Sequence, residues 1–132
     1  MNIDEMQAGP ELDALVAERV MGWRQSSLPG VFIDEDERFW GVTDEVPTSR
    51  QFNPSIDIAT AWQVWQKLPR IHSMGNHDLS ISWHLINARS IHRDGNEYIV
   101  CGILDCGEWE YSASADTAPL AICRAALEAV TR

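Results

Sequence analysis

The chain lacks any segment that would carry it into or across a membrane. No run approaches the ~20 consecutive apolar residues that span a bilayer. The opening residues Met1-Asn2-Ile3-Asp4-Glu5-Met6 are acidic where a secretory leader needs a basic region. Cysteine is scarce and odd in number: Cys101, Cys106 and Cys123 stand in a chain that shows no export signal, so reduced thiols and a cytoplasmic location are expected. Positive charge is also short. Ten Lys and Arg stand against twenty Asp and Glu, a formal net charge of -10. Such a chain repels nucleic-acid backbones, so neither nucleic acid nor membrane is an expected partner. There is no G-x-S-x-G elbow and no Gly-rich phosphate loop, which disfavours the common serine-hydrolase and P-loop nucleotidase classes.

What is present is one domain's worth of core-forming sequence. At 132 residues and 45% apolar content, a fold can bury roughly two thirds of its surface without staples. The acidity reads most simply as solubility; the sharper reading is nucleic-acid mimicry aimed at a basic partner. Scatter argues against mimicry, because the single run, Asp34-Glu35-Asp36-Glu37, is followed at once by Arg38, the pattern of a solvated loop.

The strongest local signal is at the end. Asp116-Thr117-Ala118-Pro119 supplies a cap and a first-turn proline, and Leu120 to Val130 follows as a run that is apolar on most sides. Only a packed core holds such a helix. Residues 1–8 read as a loose leader and 9–132 as one domain. Gly9-Pro10-Glu11 opens a first helix carrying Leu12, Leu15, Val16, Val20 and Trp23 on one face, with Gly22 as its stop. Pro29-Gly30 marks a turn. Val31-Phe32-Ile33 and Phe39 to Val42 are short strand candidates flanking the acidic run, and Asp44 to Arg50 is loop. A second helix starts at Asn53-Pro54-Ser55, capped by Asn53 or Ser55, with Ile58, Ala61, Trp62, Trp65 and Leu68 as its stripe and Pro69 as its end. Arg70 to His77 reads as a connection. Strands are expected over Leu79 to Ile86, Glu97 to Leu104 and Trp109 to Ala113, with turns at Arg93-Asp94-Gly95-Asn96 and Asp105-Cys106-Gly107. The order predicts an α+β fold: an antiparallel sheet of three to five strands with helices packed on it.

Three segments carry a resemblance. Leu12 to Trp23 (LDALVAERVMGW), Phe52 to Trp62 (FNPSIDIATAW) and Ala115 to Leu127 (ADTAPLAICRAAL) resemble, in order, the hallmark segments of the phage ABA sandwich domain proteins, small proteins of tailed phages and prophages. The resemblance implies a three-layer α/β/α sandwich, a phage or prophage origin and the cytoplasm of a bacterial host; it implies no agreed activity. The chain departs from the pattern at Asn53 and Ile56, where Ser and Thr are expected, and at Thr60, which replaces Ala.

Candidate chemistry is thin. Cys123, in the apolar helix, and Cys101, in a central strand, read as inert core thiols; Cys106, in a turn, is the exposed one. His72, His77 and Asp78 are close together with His84 and His92 nearby, and Cys101 and Cys106 stand at the edge of the usual ligand spacing with no matching second pair, so surface histidines are the plain reading and no metal is expected. Asp57 reads as first-turn capping. Helix starts at Asn53–Asp57 and Asp116–Ala118 could receive anions, although each holds a carboxylate. Arg19, Arg24, Arg50, Arg70, Arg89 and Arg93 could supply cationic charge. Six tryptophans are many for this length. Trp23 and Trp62 read as core, Trp40 and Trp65 less so, and a part-exposed Trp beside an Arg makes a stacking surface for a base, worth ~1–3 kcal/mol.

The expectation is a binding protein, with no catalytic residues, metal or cofactor: a soluble homo-oligomer that holds a small nucleotide-type ligand, sequestering a nucleotide-derived immune signal of the host. Its candidate ligand-binding residues are Arg50, Trp65, Trp62, Asp57, Ser55, Trp23, Arg24 and Thr117. The alternative is an acidic protein-interaction module that inhibits a host protein or regulates phage development. A small nucleotide hydrolase is a third class, and it would need a carboxylate or histidine cluster not visible in the sequence.

Overall fold

The computed structural model describes residues 3–43, 50–74, 77–89 and 96–131. Its centre is the C-terminal helix. With α1 Pro10–Arg19, α2 Ile58–Gln66 and α3 Ala118–Thr131, the contacts run from α3 to both other helices and to the sheet. Every residue of α3 from Leu120 to Leu127 is buried, so the helix that is apolar on most sides is the one surrounded on most sides. Each of Leu120, Ile122 and Leu127 contributes about 1.5–3 kcal/mol by leaving water.

Two antiparallel sheets complete the chain. A small one has the order β1 (Arg24–Gln25), β2 (Val31–Ile33), β3 (Phe39–Gly41). The larger has the order β4 (Ile71–Met74), β5 (His77–Arg89), β6 (Asn96–Leu104), β7 (Trp109–Ala115). This is the expected α+β architecture. Period-two burial sets its faces: Ile81, Trp83, Val100, Leu104, Tyr111 and Ala113 point into the core, while Ser80, Ser82, His84, Ser112 and Ser114 are exposed. The α3 helix lies on the inner face against β6 and β7. Among the described residues no helix covers the outer face, so the layers run sheet, α3, then α1 and α2 around it.

Several element boundaries differ from the sequence reading. The first helix ends at Arg19, not Gly22; the Met21 and Trp23 N–H groups close onto the Val16 and Ala17 carbonyls (both 3.0 Å), and Gly22, at φ 74°, turns the chain. The second helix starts at Ile58 with Asp57 as its cap, because Ser55 is drawn elsewhere. Arg70 to His77 is not a mere connection: Ile71–Met74 pairs with His77–Ser80 as an edge strand. The strand expected over Leu79 to Ile86 extends to His77–Arg89. The expected loop over 44–49, His92 and the Arg93-Asp94-Gly95 part of the hairpin turn lie outside the described residues, as do the side chains of His72 and His77.

The described part of the leader, from Ile3 on, is held. Ile3–Glu5 form a 3-10 turn, and the buried Arg124 guanidinium donates to the Met6 carbonyl from Nε (3.1 Å) and from Nη2 (2.6 Å), with Nη1 donating to the Ser114 carbonyl (2.8 Å). The loose leader expected over 1–8 therefore contains an anchor to the core helix.

Candidate functional surfaces

The sequence-selected residues fall into separate regions. Three of them spend their polar groups on the fold. Ser55 is fully buried; its N–H donates to Asp13 Oδ1 (2.9 Å) and its Oγ accepts from the Gly9 N–H (3.0 Å). That ties the start of α1 to the turn before α2. Asp57 accepts from the Thr60 N–H (2.9 Å) and from the Thr60 hydroxyl. These bonds outweigh a small desolvation and hold its carboxyl below the usual range. Thr60, one of the three departures from the family pattern, is thus put to use in the cap. Thr117 Oγ1 accepts from the Leu120 N–H (3.4 Å) at the start of α3.

Trp23, Arg24 and Arg50 belong to the small-sheet region. Trp23 is buried and stacks on Trp40 (centroids 5.2 Å, 26° between planes), with Phe52 tilted against it at 4.7 Å. Arg24 pairs with Glu37 on the surface, and the exposed Arg50 offers its carbonyl to the Gly41 N–H (2.9 Å). The acidic run is ordered by its first member. Asp34 Oδ1 accepts from the Asp36 and Arg38 N–H groups and Oδ2 from Trp40 Nε1 (2.9 Å). Burial works to raise its pKa, but these bonds win and leave it lowered.

Trp62 is the main correction. Expected in the core, it is 41% exposed. The buried face of α2 is Thr60, Ala61, Val64 and Leu68, which leaves Ile58 and Trp62 outward and Trp65 at the margin. The two indoles meet edge to face at 5.5 Å and 78°. Arg70 reaches back so that Nη2 donates to the Trp65 carbonyl (3.4 Å), and Lys67, the C-cap of the helix, lies 3.9 Å from Glu35 Oε1. The α2 helix therefore carries an exposed indole at its middle and a second one at the margin, with Lys67 at its C-terminal end and Arg70 just beyond.

Two buried charges escaped the sequence reading. Asp13 is 1% exposed, and desolvation pushes its pKa up to about 6 against the opposing Ser55 hydrogen bonds. The signal was present: Asp13 is followed at helical spacing by Val16 and Ala17, both buried. Arg124 is likewise the one charge set within the apolar stretch Leu120 to Leu127. The cysteines stand as read: Cys101 and Cys123 are buried and Cys106 is exposed. Burial raises the Cys101 thiol, and burial together with the nearby Asp13 raises Cys123 well above the usual thiol range, which disfavours the thiolate form in both. An open cleft of about 510 Å³ is lined by residues 5–12. Glu5 and Glu11 give it acidic walls, and none of the eight selected residues lines it. No group of three metal-ligating side chains occurs among the described residues, and no described helix is long and apolar enough to cross a membrane.

The model of the phage ABA sandwich domain matches residues 14–127. The chain belongs to the phage ABA sandwich domain family. All three hallmark segments of this ABA sandwich protein are structural in the same sense: they build α1, the cap and body of α2, and α3. Comparison with curated proteins and with solved structures gave no match.

Proposed function

We propose that this phage ABA sandwich protein is a binding protein that sequesters a nucleotide-derived host immune signal on the exposed face of α2. The reading is carried by Trp62, an indole 41% exposed midway along α2, the helix that Lys67 caps and Arg70 follows. A base stacks on such a ring, and its phosphates meet the two cations in a chain whose overall charge otherwise repels them. Trp65 supports the ring from the edge. Of the eight residues selected from sequence, the reading keeps Trp62 and Trp65 at its centre.

The test is a thermal-shift and calorimetric screen of the pure protein against cyclic dinucleotides, cyclic trinucleotides and cyclic ADP-ribose isomers. One class should stabilise the wild type. Trp62→Ala and Arg70→Ala should each weaken that binding at least tenfold while changing the ligand-free melting temperature by no more than a few degrees. Absence of any shift with every compound sinks the proposal.

A second reading, a protein-interaction module that inhibits a host protein or regulates phage development, is favoured by the neighbours of Trp62. Ile56 and Ile58 are also exposed, and they widen the apolar strip beyond what one ring covers. It predicts a stoichiometric host protein that co-purifies with the wild type and is lost from Ile58→Glu.

A further inference from the structure

Part of the β5 backbone has no strand beside it. Along β5 the hydrogen-bonding direction alternates. The Ser80 carbonyl accepts from the Asp105 N–H (2.9 Å) on the β6 side, and the Ile81 N–H donates to the Arg70 carbonyl (2.8 Å) on the β4 side. Odd-numbered residues of β5 therefore aim their N–H and C=O groups away from β6. On that side β4 covers His77 to Ser80, and Arg70 covers Ile81. Pro69 comes before Arg70 and has no N–H with which to carry the ladder on. From Trp83 to Arg89 this edge meets no backbone partner among the described residues. The sheet's other margins are short or guarded. The β4 strand has four residues, and at the far edge Arg124 Nη1 occupies the Ser114 carbonyl of β7 (2.8 Å). The β5 edge has no such protection, since Ser82 to Ala88 contains no Pro, Asp, Glu, Lys or Arg.

Donors and acceptors in this alternating order are recognised by an added β-strand. Symmetry selects which strand. The outward groups at 83, 85, 87 and 89 are centred on Ile86, so an antiparallel copy of β5 turned about that residue matches them all. Trp83 then pairs with the partner subunit's Arg89, and Leu85 with the partner subunit's Asn87, each pair exchanging two N–H···O bonds. A register shifted by two residues either way takes Trp83 or Arg89 out of the match. The two-fold axis stands perpendicular to the sheet, so both helix layers stay on one side. Ile86 falls opposite Ile86 of the partner subunit in a non-hydrogen-bonded pair, where side chains come closest. That residue is 43% exposed in the single chain. Two chains of net charge -10 repel one another, and this contact sets no acid against acid between Ser82 and Ala88. We propose that two copies of this chain join edge to edge through β5, antiparallel about Ile86, into one continuous sheet.

Sedimentation velocity of the full chain over about 1–200 μM tests this. The wild type should populate a dimer that dissociates on dilution. Cross-linking reads the register. The Cα atoms of a non-hydrogen-bonded pair, ~4.5 Å apart, lie within disulfide reach. Ile86→Cys in a Cys106→Ser background should therefore oxidise to a covalent dimer, and Cys106→Ser alone should not. Asn87→Pro removes an N–H that faces solvent in the single chain, which an edge strand tolerates. It should raise the dissociation constant at least tenfold with near-UV circular dichroism retained. Ile86→Asp sets like charges opposite each other and should do the same. A wild type that stays monomeric throughout, as it would if the edge served a foreign strand, overturns the proposal. So does a dimer that survives both Asn87→Pro and Ile86→Asp, or one in which Ile86→Cys forms no cross-link. Trp62→Ala should leave the dimer unchanged, which separates this result from the ligand-binding test.

Discussion

Asp13 shows how a single residue can be structural and costly together. Its carboxyl is buried beside Ser55, and its pKa moves from 3.8 in the unfolded chain to about 6 in the fold. A raised carboxyl pKa means that the folded state binds the proton more tightly. The stabilising contribution is complete below pH 3.8 and is lost as pH rises through about 6. Between pH 5 and 7.5 this one group should lower the unfolding free energy by about 1.4 kcal/mol. Asp34 and Asp57, with lowered values, act in the opposite sense and only towards acid. Urea unfolding of the wild type against Asp13→Asn across that range checks the sign. Asparagine keeps an acceptor for the Ser55 N–H and cannot ionise, so the variant's stability should vary less between pH 5 and 7.5. An unchanged slope would remove Asp13 as the cause.

At the scale of elements, the central strand depends on a residue with no side chain. Gly102 of β6 faces the core between Ile81 and Trp83, and a Cβ placed there would sit 3.1 Å from Ile81 Cγ2 and 3.1 Å from the Trp83 ring. That ring stacks on Tyr111 (5.6 Å, 14°) and is pinned by its Nε1 donating to the Pro69 carbonyl (2.6 Å). It therefore has little freedom to give way. Gly102→Ala should cost about 1–3 kcal/mol by overpacking, read as a drop in the denaturation midpoint with no change in slope. The same elements show what period and punctuation reveal. The β6 and β7 spans were readable because apolar alternation is strict and turn residues bound it. The β4 strand was not, since Ile71–Met74 carries a single strong β-former and pairs only because Ser80 and its neighbours present a partner. For α2, the expected stripe was displaced by about one residue: Ile58 and Trp62 fit an apolar face as well as Thr60 and Val64 do. The helix turned the smaller side chains inward, against α3.

For the molecule as a whole, charge is the dominant long-range term. Twenty acids against ten bases repel one another across a small body, which weakens the folded state relative to the expanded chain. Screening should relieve this. Raising sodium chloride from about 0.1 M to 1 M shortens the Debye length from ~10 Å to ~3 Å, and the melting temperature should climb by several degrees, most steeply at the low-salt end. A flat or falling curve would mean that acids and bases compensate locally.

Sequence alone determined the element types, the α+β class, the family and the central place of the last helix. These depend on local capping, on spacing, and on an apolar stretch that no surface position tolerates. Three things were decided only in three dimensions. The arc of α2 that faces solvent was one, because helical spacing allows two neighbouring arcs and packing against α3 selects between them. Another was the use of Ser55 and Asp13 as a buried link, because residues 42 apart in the chain meet only once α1 and the turn before α2 are side by side. The last was the bare outer face of the sheet. Alternation marks which residues share a face, but only the arrangement of α1, α2 and α3 leaves that face without a helix among the described residues.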